Sequence, residues 1–197
     1  SSAASDVYKR QDLCRKENYN TKTKTICCYP TENNFIKSHV NLIKKTLKTL
    51  ENKNFKLLFS AHGLPENKIK KGDPYQWQVE ITATAIVEQL GIQKLDWAIC
   101  YQSRVGPMEW IGPSIDAELA RAAADNMAVV IVPVAFVSEH SETLVELDIE
   151  YRQEASRLGV AEYIRVPTVG TEAEFIKGLG GQVRQSVAQV EGLHCGE

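Results

Sequence analysis

Apolar residues recur along this chain with two different periods. Ile36, Val40, Ile43, Leu47 and Leu50 return at helical spacing with lysines between them, which predicts an amphipathic helix. Pro30 and Thr31 mark the boundary before it, and Thr31 is placed to cap its start. Residues 56–60 (KLLFS) form a short continuous apolar run and read as a buried strand. Val79, Ala83, Ile86 and Leu90 mark a second helix, which Gly91 ends. A second strand is predicted over 97–101 (WAICY), then a third helix through Ile115, Leu119 and Ala122. Residues 129–134 (VVIVPV) are the most strand-like run of the chain. Helical spacing returns at Leu144, Leu147, Tyr151, Ala155 and Leu158, followed by a weaker strand over 162–166. Phe175, Leu179, Val183 and Val187 predict a last helix, weakened by Gly178, Gly180 and Gly181. Ahead of all these, residues 25–29 are briefly β-prone.

The order is a helix followed by four β-α repeats. Strands that read as continuous apolar runs, alternating with helices, belong to a parallel sheet covered on both faces. Right-handed crossovers then give an α/β, Rossmann-like three-layer sandwich with a four-stranded parallel sheet. The domain is expected over 25–190, with a tail over 191–197. Residues 1–24 read as a non-native or ragged leader, poorly ordered. Their first stretch, SSAASDVYKRQ, lacks Met and the apolar core of a signal peptide.

Composition narrows the function classes. With 23 Lys plus Arg against 25 Asp plus Glu the net charge is −2, so no basic field points to nucleic acid or an anionic membrane. Mean hydropathy is −0.27, and no apolar run reaches bilayer length. The five cysteines, Cys14, Cys27, Cys28, Cys100 and Cys195, are irregularly spaced and contain no C-x-x-C pair. They make a poor disulfide framework and a poor thiolate zinc site, and fit a reducing cytoplasm.

In such sheets ligands sit beyond the carboxyl ends of the strands, which selects the loops beginning at Ser60, Tyr101 and Phe136. The first carries His62 in SAHGLP. Imidazole there serves as a metal ligand, a general base or a helix-capping core residue; taken alone, the residue favours the structural role. Neither standard phosphate loop, G-x-G-x-x-G or G-x-x-x-x-G-K-[ST], is present. In the second loop Met108 and Trp110 sit among glycines and prolines. A Trp held there either tucks back into the core or offers a wall to a flat apolar ligand, and the two readings weigh equally. In the third, Glu142, Glu146, Glu150 and Glu154 fall at intervals of four, opposite Leu144, Leu147, Tyr151 and Ala155. A solvated acidic face is the ordinary explanation. This one has few compensating lysines at i+4, and mixed His and Glu at neighbouring strand ends suit a first-row divalent cation.

The motifs SAHGLP, GDPY, YQSRVGPMEWIGP, PVAFVSEHSETLVELDIEY and ICCYPTENNFIKSH resemble those of the ferrochelatases, which insert ferrous iron into protoporphyrin IX. The resemblance runs in order from about Thr25 to about Val187 and is nearer to the bacterial enzymes. It implies two similar Rossmann-like halves with the porphyrin cleft between them, of which this chain resembles the second; the N-terminal half is missing. It assigns His62 and Glu142 to the porphyrin centre, as iron ligands or proton acceptors. His140, Glu146 and Glu150 fall on a metal or proton route. Trp110 resembles a porphyrin-contacting position, and Met108, Gln102, Ser103 and Phe136 are expected to bind the macrocycle with it. Fe²⁺ is then a substrate. Some relatives carry an iron–sulfur cluster on clustered C-terminal cysteines; only Cys195 lies in that region here, so none is expected. The family often works near membranes, but no amphipathic anchor with a basic face is evident. The alternatives are a related tetrapyrrole chelatase, of the cobalt or siroheme type, and a porphyrin- or metal-binding module without catalysis.

Overall fold

The computed structural model describes residues 2–19, 24–50, 54–104, 106–188 and 194–195. Its centre is an all-parallel sheet of four strands, β2 (Phe55–His62), β3 (Trp97–Gln102), β4 (Ala128–Pro133) and β5 (Tyr163–Arg165), in the order β3-β2-β4-β5. The expected three-layer sandwich is therefore present. Each predicted strand lies within two residues of its observed bounds.

Alternation along the strands divides the core in two. Leu57, Phe59, Ala61, Tyr101, Val130 and Val132 face one layer, formed by α2 (Asn33–Leu47), α4 (Tyr75–Leu90) and α7 (Ala173–Ala188). Leu58, Cys100, Val129 and Ile131 face the other, formed by α5 (Ile115–Ala124), α6 (Tyr151–Leu158) and the segment before α6. Gly178 permits the close approach of α7 to α2, since a Cβ there would stand 2.5 Å from Glu32 Oε2. That carboxylate, rather than Thr31, caps α2, accepting the Phe35 N–H at 2.7 Å. Charge favours this choice, because a carboxylate also meets the positive end of the helix dipole. Gly91 ends α4 in the left-handed conformation (φ 66°) as its position predicts.

Three features depart from the sequence reading. Ser2–Lys16, which shows no apolar helical period, forms helix α1. A short helix, α3 (Glu66–Lys70), follows the loop after β2. The strand β1 (Ile26–Cys28) pairs with β6 (His194–Cys195) apart from the main sheet. Of the tail expected over 191–197, only these two residues lie within the described ones.

Candidate active site at the carboxyl edge of the sheet

His62 is the last residue of β2. It shares its parity with Leu58 and Ser60, so the pleat turns it toward the α5 and α6 face. The segment covering that end of the face, Glu142–Glu150, is a π-helix, with the Tyr151 N–H bonded to Glu146 O. This i→i+5 pattern is uncommon and gathers at functional sites. It carries Glu142 to His62, whose Nδ1 lies 3.4 Å from Glu142 Oε1. The His62 side chain is 42% exposed and that of Glu142 37%. The Nδ1 atom itself is closed to solvent and has no hydrogen-bond partner of good geometry. The remainder of the ring faces the open side.

Both groups line a cavity of about 470 Å³, together with Gly63, Leu64, Pro65, Tyr75, Trp110, Ala135 and Phe136. This lies within the range of small-molecule sites, roughly 300–1,000 Å³. The loops after β2 and β3 are joined by reciprocal backbone bonds, Glu66 N–H to Glu109 O at 2.9 Å and Ile111 N–H to Leu64 O at 3.0 Å. Trp110 is thereby held on the wall, its indole N–H closed to solvent and without a protein acceptor. Tyr75 comes from the start of α4, where the Asp73 carboxylate accepts its backbone N–H. Burial pushes its phenol strongly up, and the nearby Glu142 and Asp73 carboxylates add to this. The phenol stays a protonated donor. Tyr75 belongs to the GDPY motif, but its place on the wall depends on the packing of α4 and has no signature of its own.

The other expected site residues lie elsewhere. Gln102 is fully buried. It accepts from Ser60 Oγ at 2.6 Å and donates to Glu142 O at 2.8 Å and Glu146 Oε2 at 2.7 Å. It therefore braces the π-helix and is not among the residues lining the cavity beside His62. Ser103, in the left-handed region (φ 58°), gives Glu146 both its backbone N–H (2.8 Å) and its hydroxyl (2.6 Å). Three donors so hold the Glu146 side chain in place on the π-helix, four residues after Glu142. Met108, 52% exposed, lines a smaller neighbouring hollow of about 230 Å³ with Pro65, Asn67, Lys70 and Glu109. His140 caps the segment from within: its Nδ1 accepts the Glu142 N–H at 3.2 Å and its ring meets Phe136 edge-on at 5.0 Å. Glu150 is exposed. Leu144, expected on the buried face, is exposed with Val145 and Ile149, while Thr143 and Leu147 are buried, because the wider π turn rotates the face.

The cavity gathers the His62 imidazole, the Glu142 carboxylate and the Tyr75 phenol under aromatic and aliphatic walls, with the Glu146 carboxylate four residues further along the π-helix. Among the described residues, the Glu142 and Glu146 carboxylates have no Lys or Arg as bonded partners. Such a pocket draws cations and accepts protons. Among the described residues no group of three or more His, Cys, Asp or Glu forms a cage for a resident metal.

The ferrochelatase family model matches residues 1–187, a span that includes the 1–24 segment read above as a leader. The ferrochelatase of Pelagibacter ubique is 56% identical over 177 residues, 90% of this chain and 51% of that protein. Those of Caulobacter vibrioides and Rickettsia felis are each 53% identical, over 169 and 168 residues, covering 85% of this chain and 48% of theirs. This chain belongs to the ferrochelatase family. It spans about half the length of the curated ferrochelatases it matches. Among the described residues no helix is long and apolar enough to cross a membrane.

Proposed function

We propose that this chain is one half of an enzyme that inserts Fe²⁺ into protoporphyrin IX to give protoheme. The observation that carries the proposal is the approach of His62 to Glu142, 3.4 Å apart on the wall of an aromatic-lined cavity, in a chain whose family is the ferrochelatases. A planar porphyrin resists metalation because its pyrrole hydrogens and lone pairs share one crowded plane. Tilting the pyrroles frees the lone pairs, and broad contact with the macrocycle supplies the energy for that distortion. Trp110, Phe136 and Leu64 form one such wall; the facing wall comes from the part of the enzyme outside this chain.

Two protons leave as the cation enters. His62 accepts them one after the other at its imidazole; Glu142 stabilises the imidazolium and passes each proton to solvent at the open side, leaving the ring neutral for the next. Glu146, held in place by three donors, supplies negative charge that favours cation entry. One imidazole and one carboxylate leave coordination positions open, so iron is passed on and not trapped.

The test is direct. This chain, together with the part of the Pelagibacter ubique ferrochelatase that it does not cover, is mixed with protoporphyrin and Fe²⁺ without oxygen, and the absorbance is followed. Growth of the heme spectrum is expected. Porphyrin binding without conversion would leave a binding module, and conversion with Co²⁺ but not Fe²⁺ a different chelatase.

A further inference from the structure

Arg165, the last residue of β5, lies outside the cavity, yet its guanidinium reaches both ends of the segment that carries Glu142. Nε and Nη2 donate to the two oxygens of Asp148 at 2.7 Å each, and Nη1 donates to Glu139 Oε1 at 3.0 Å. Its side chain is only 10% exposed. Glu139 stands three residues before Glu142 and Asp148 six after it. One planar fork therefore spans the loop that enters the π-helix and the helix itself, which a lysine ammonium cannot do.

The two ends are not equally secured. Asp148 has a second cation, Arg152, at 3.6 Å, and Arg152 is itself anchored to Tyr163 O at 2.8 Å. On the loop side, Glu139 Oε1 otherwise accepts the Thr168 N–H at 3.0 Å. Burial acts to raise the Glu139 carboxyl, but its bonds from Thr143, Thr168 and Arg165 outweigh this and hold it below the usual range. Among the described residues Arg165 is thus the one cation on Glu139, whereas Asp148 also has Arg152. Its consequence reaches the site through His140, whose Nδ1 accepts the Glu142 N–H.

We infer that Arg165 is a positioning residue: by gripping Glu139 ahead of Glu142 and Asp148 behind it, it sets the separation of Glu142 from His62. This rests on the proposed reaction for its kinetic consequence, but the geometric claim has its own readout.

The test compares wild type, Arg165→Gln and Arg165→Lys, each joined to the uncovered part of the Pelagibacter ubique relative. Amide hydrogen exchange is read at Glu142 and Thr143 and, as an internal reference, at Leu58 and Val130 in the core strands. Arg165→Gln should speed exchange at the first pair by about tenfold and leave the second within about twofold. In the iron-insertion assay kcat should fall by about tenfold with KM for porphyrin nearly unchanged, since misplacement of a reacting group costs rate and not binding. Arg165→Lys should recover part of both losses. Equal acceleration at all four amides would mean a general loss of stability and would overturn the inference; so would unchanged exchange at Glu142 and Thr143. If the wild type inserts no iron, the proposed function fails, and the exchange comparison decides the role of Arg165 by itself.

Discussion

The two faces of the sheet are held by different forces. The layer of α2, α4 and α7 is built on aliphatic and aromatic packing, with Phe35, Tyr29 and Phe175 in mutual ring contact. It even encloses His39 completely, with neither ring nitrogen partnered. The opposite layer has the smaller apolar cluster and is crossed by directed polar bonds. Buried Glu118 meets Lys56 and Arg121, Glu146 is fixed by Gln102 and Ser103, and Arg165 ties Glu139 to Asp148. Apolar burial stabilises without fixing direction, whereas hydrogen bonds specify where an atom sits. The face that must place two side chains within ångströms of each other uses the second means.

The two histidines make this contrast measurable. Replacing His62 by Ala should have the largest effect: iron insertion falls roughly a thousandfold, within the range for losing a general base, while the porphyrin absorbance shift on binding persists. Near-normal turnover would remove the exposed edge from the chemistry.

A smaller effect is expected at His39. Burial holds its imidazole at about 4, against an ordinary value near 6.5. A neutral buried histidine takes up its proton more readily once unfolded, so stability is intact above pH 6.5 and declines as pH falls toward 4. Relative to His39→Leu, the wild type should lose roughly 3 kcal/mol across that interval in urea titrations. Parallel profiles for the two proteins would refute it.

The smallest effect is expected at Ser103→Ala, which removes one of the three donors to Glu146 and keeps the backbone one. A loss of about 1 kcal/mol in the same titration is expected; no loss would show that the polar face is less dependent on this anchor than its geometry implies.

The sequence shows these two regions with unequal clarity. Period-two and period-3.6 patterns locate the strands and helices because burial on a covered face leaves a regular trace, as in the 129–134 run and the Ile36 to Leu50 series. They also bring His62, Glu142, Trp110 and Phe136 to one edge, and these four do share a cavity. The π-helix is not legible. Glutamates spaced by four suit an α-helical stripe equally well, and what separates the two is a set of partners 40 or more residues away: Gln102 and Ser103 on Glu142 and Glu146. For the same reason Gln102, expected against the porphyrin, is instead a buried brace. Tyr75 escapes notice because nothing near it in the chain announces that α4 will carry its ring to the cavity.

The reciprocal bonds between the loops after β2 and β3 bear on any effort to redesign the pocket. Leu64 and Trp110 are parts of a single rigid panel, since each loop donates one backbone N–H to the other. Grafting either loop alone from a differently selective chelatase strands a donor and an acceptor at the rim. The unit of exchange is the pair, transplanted as one cassette.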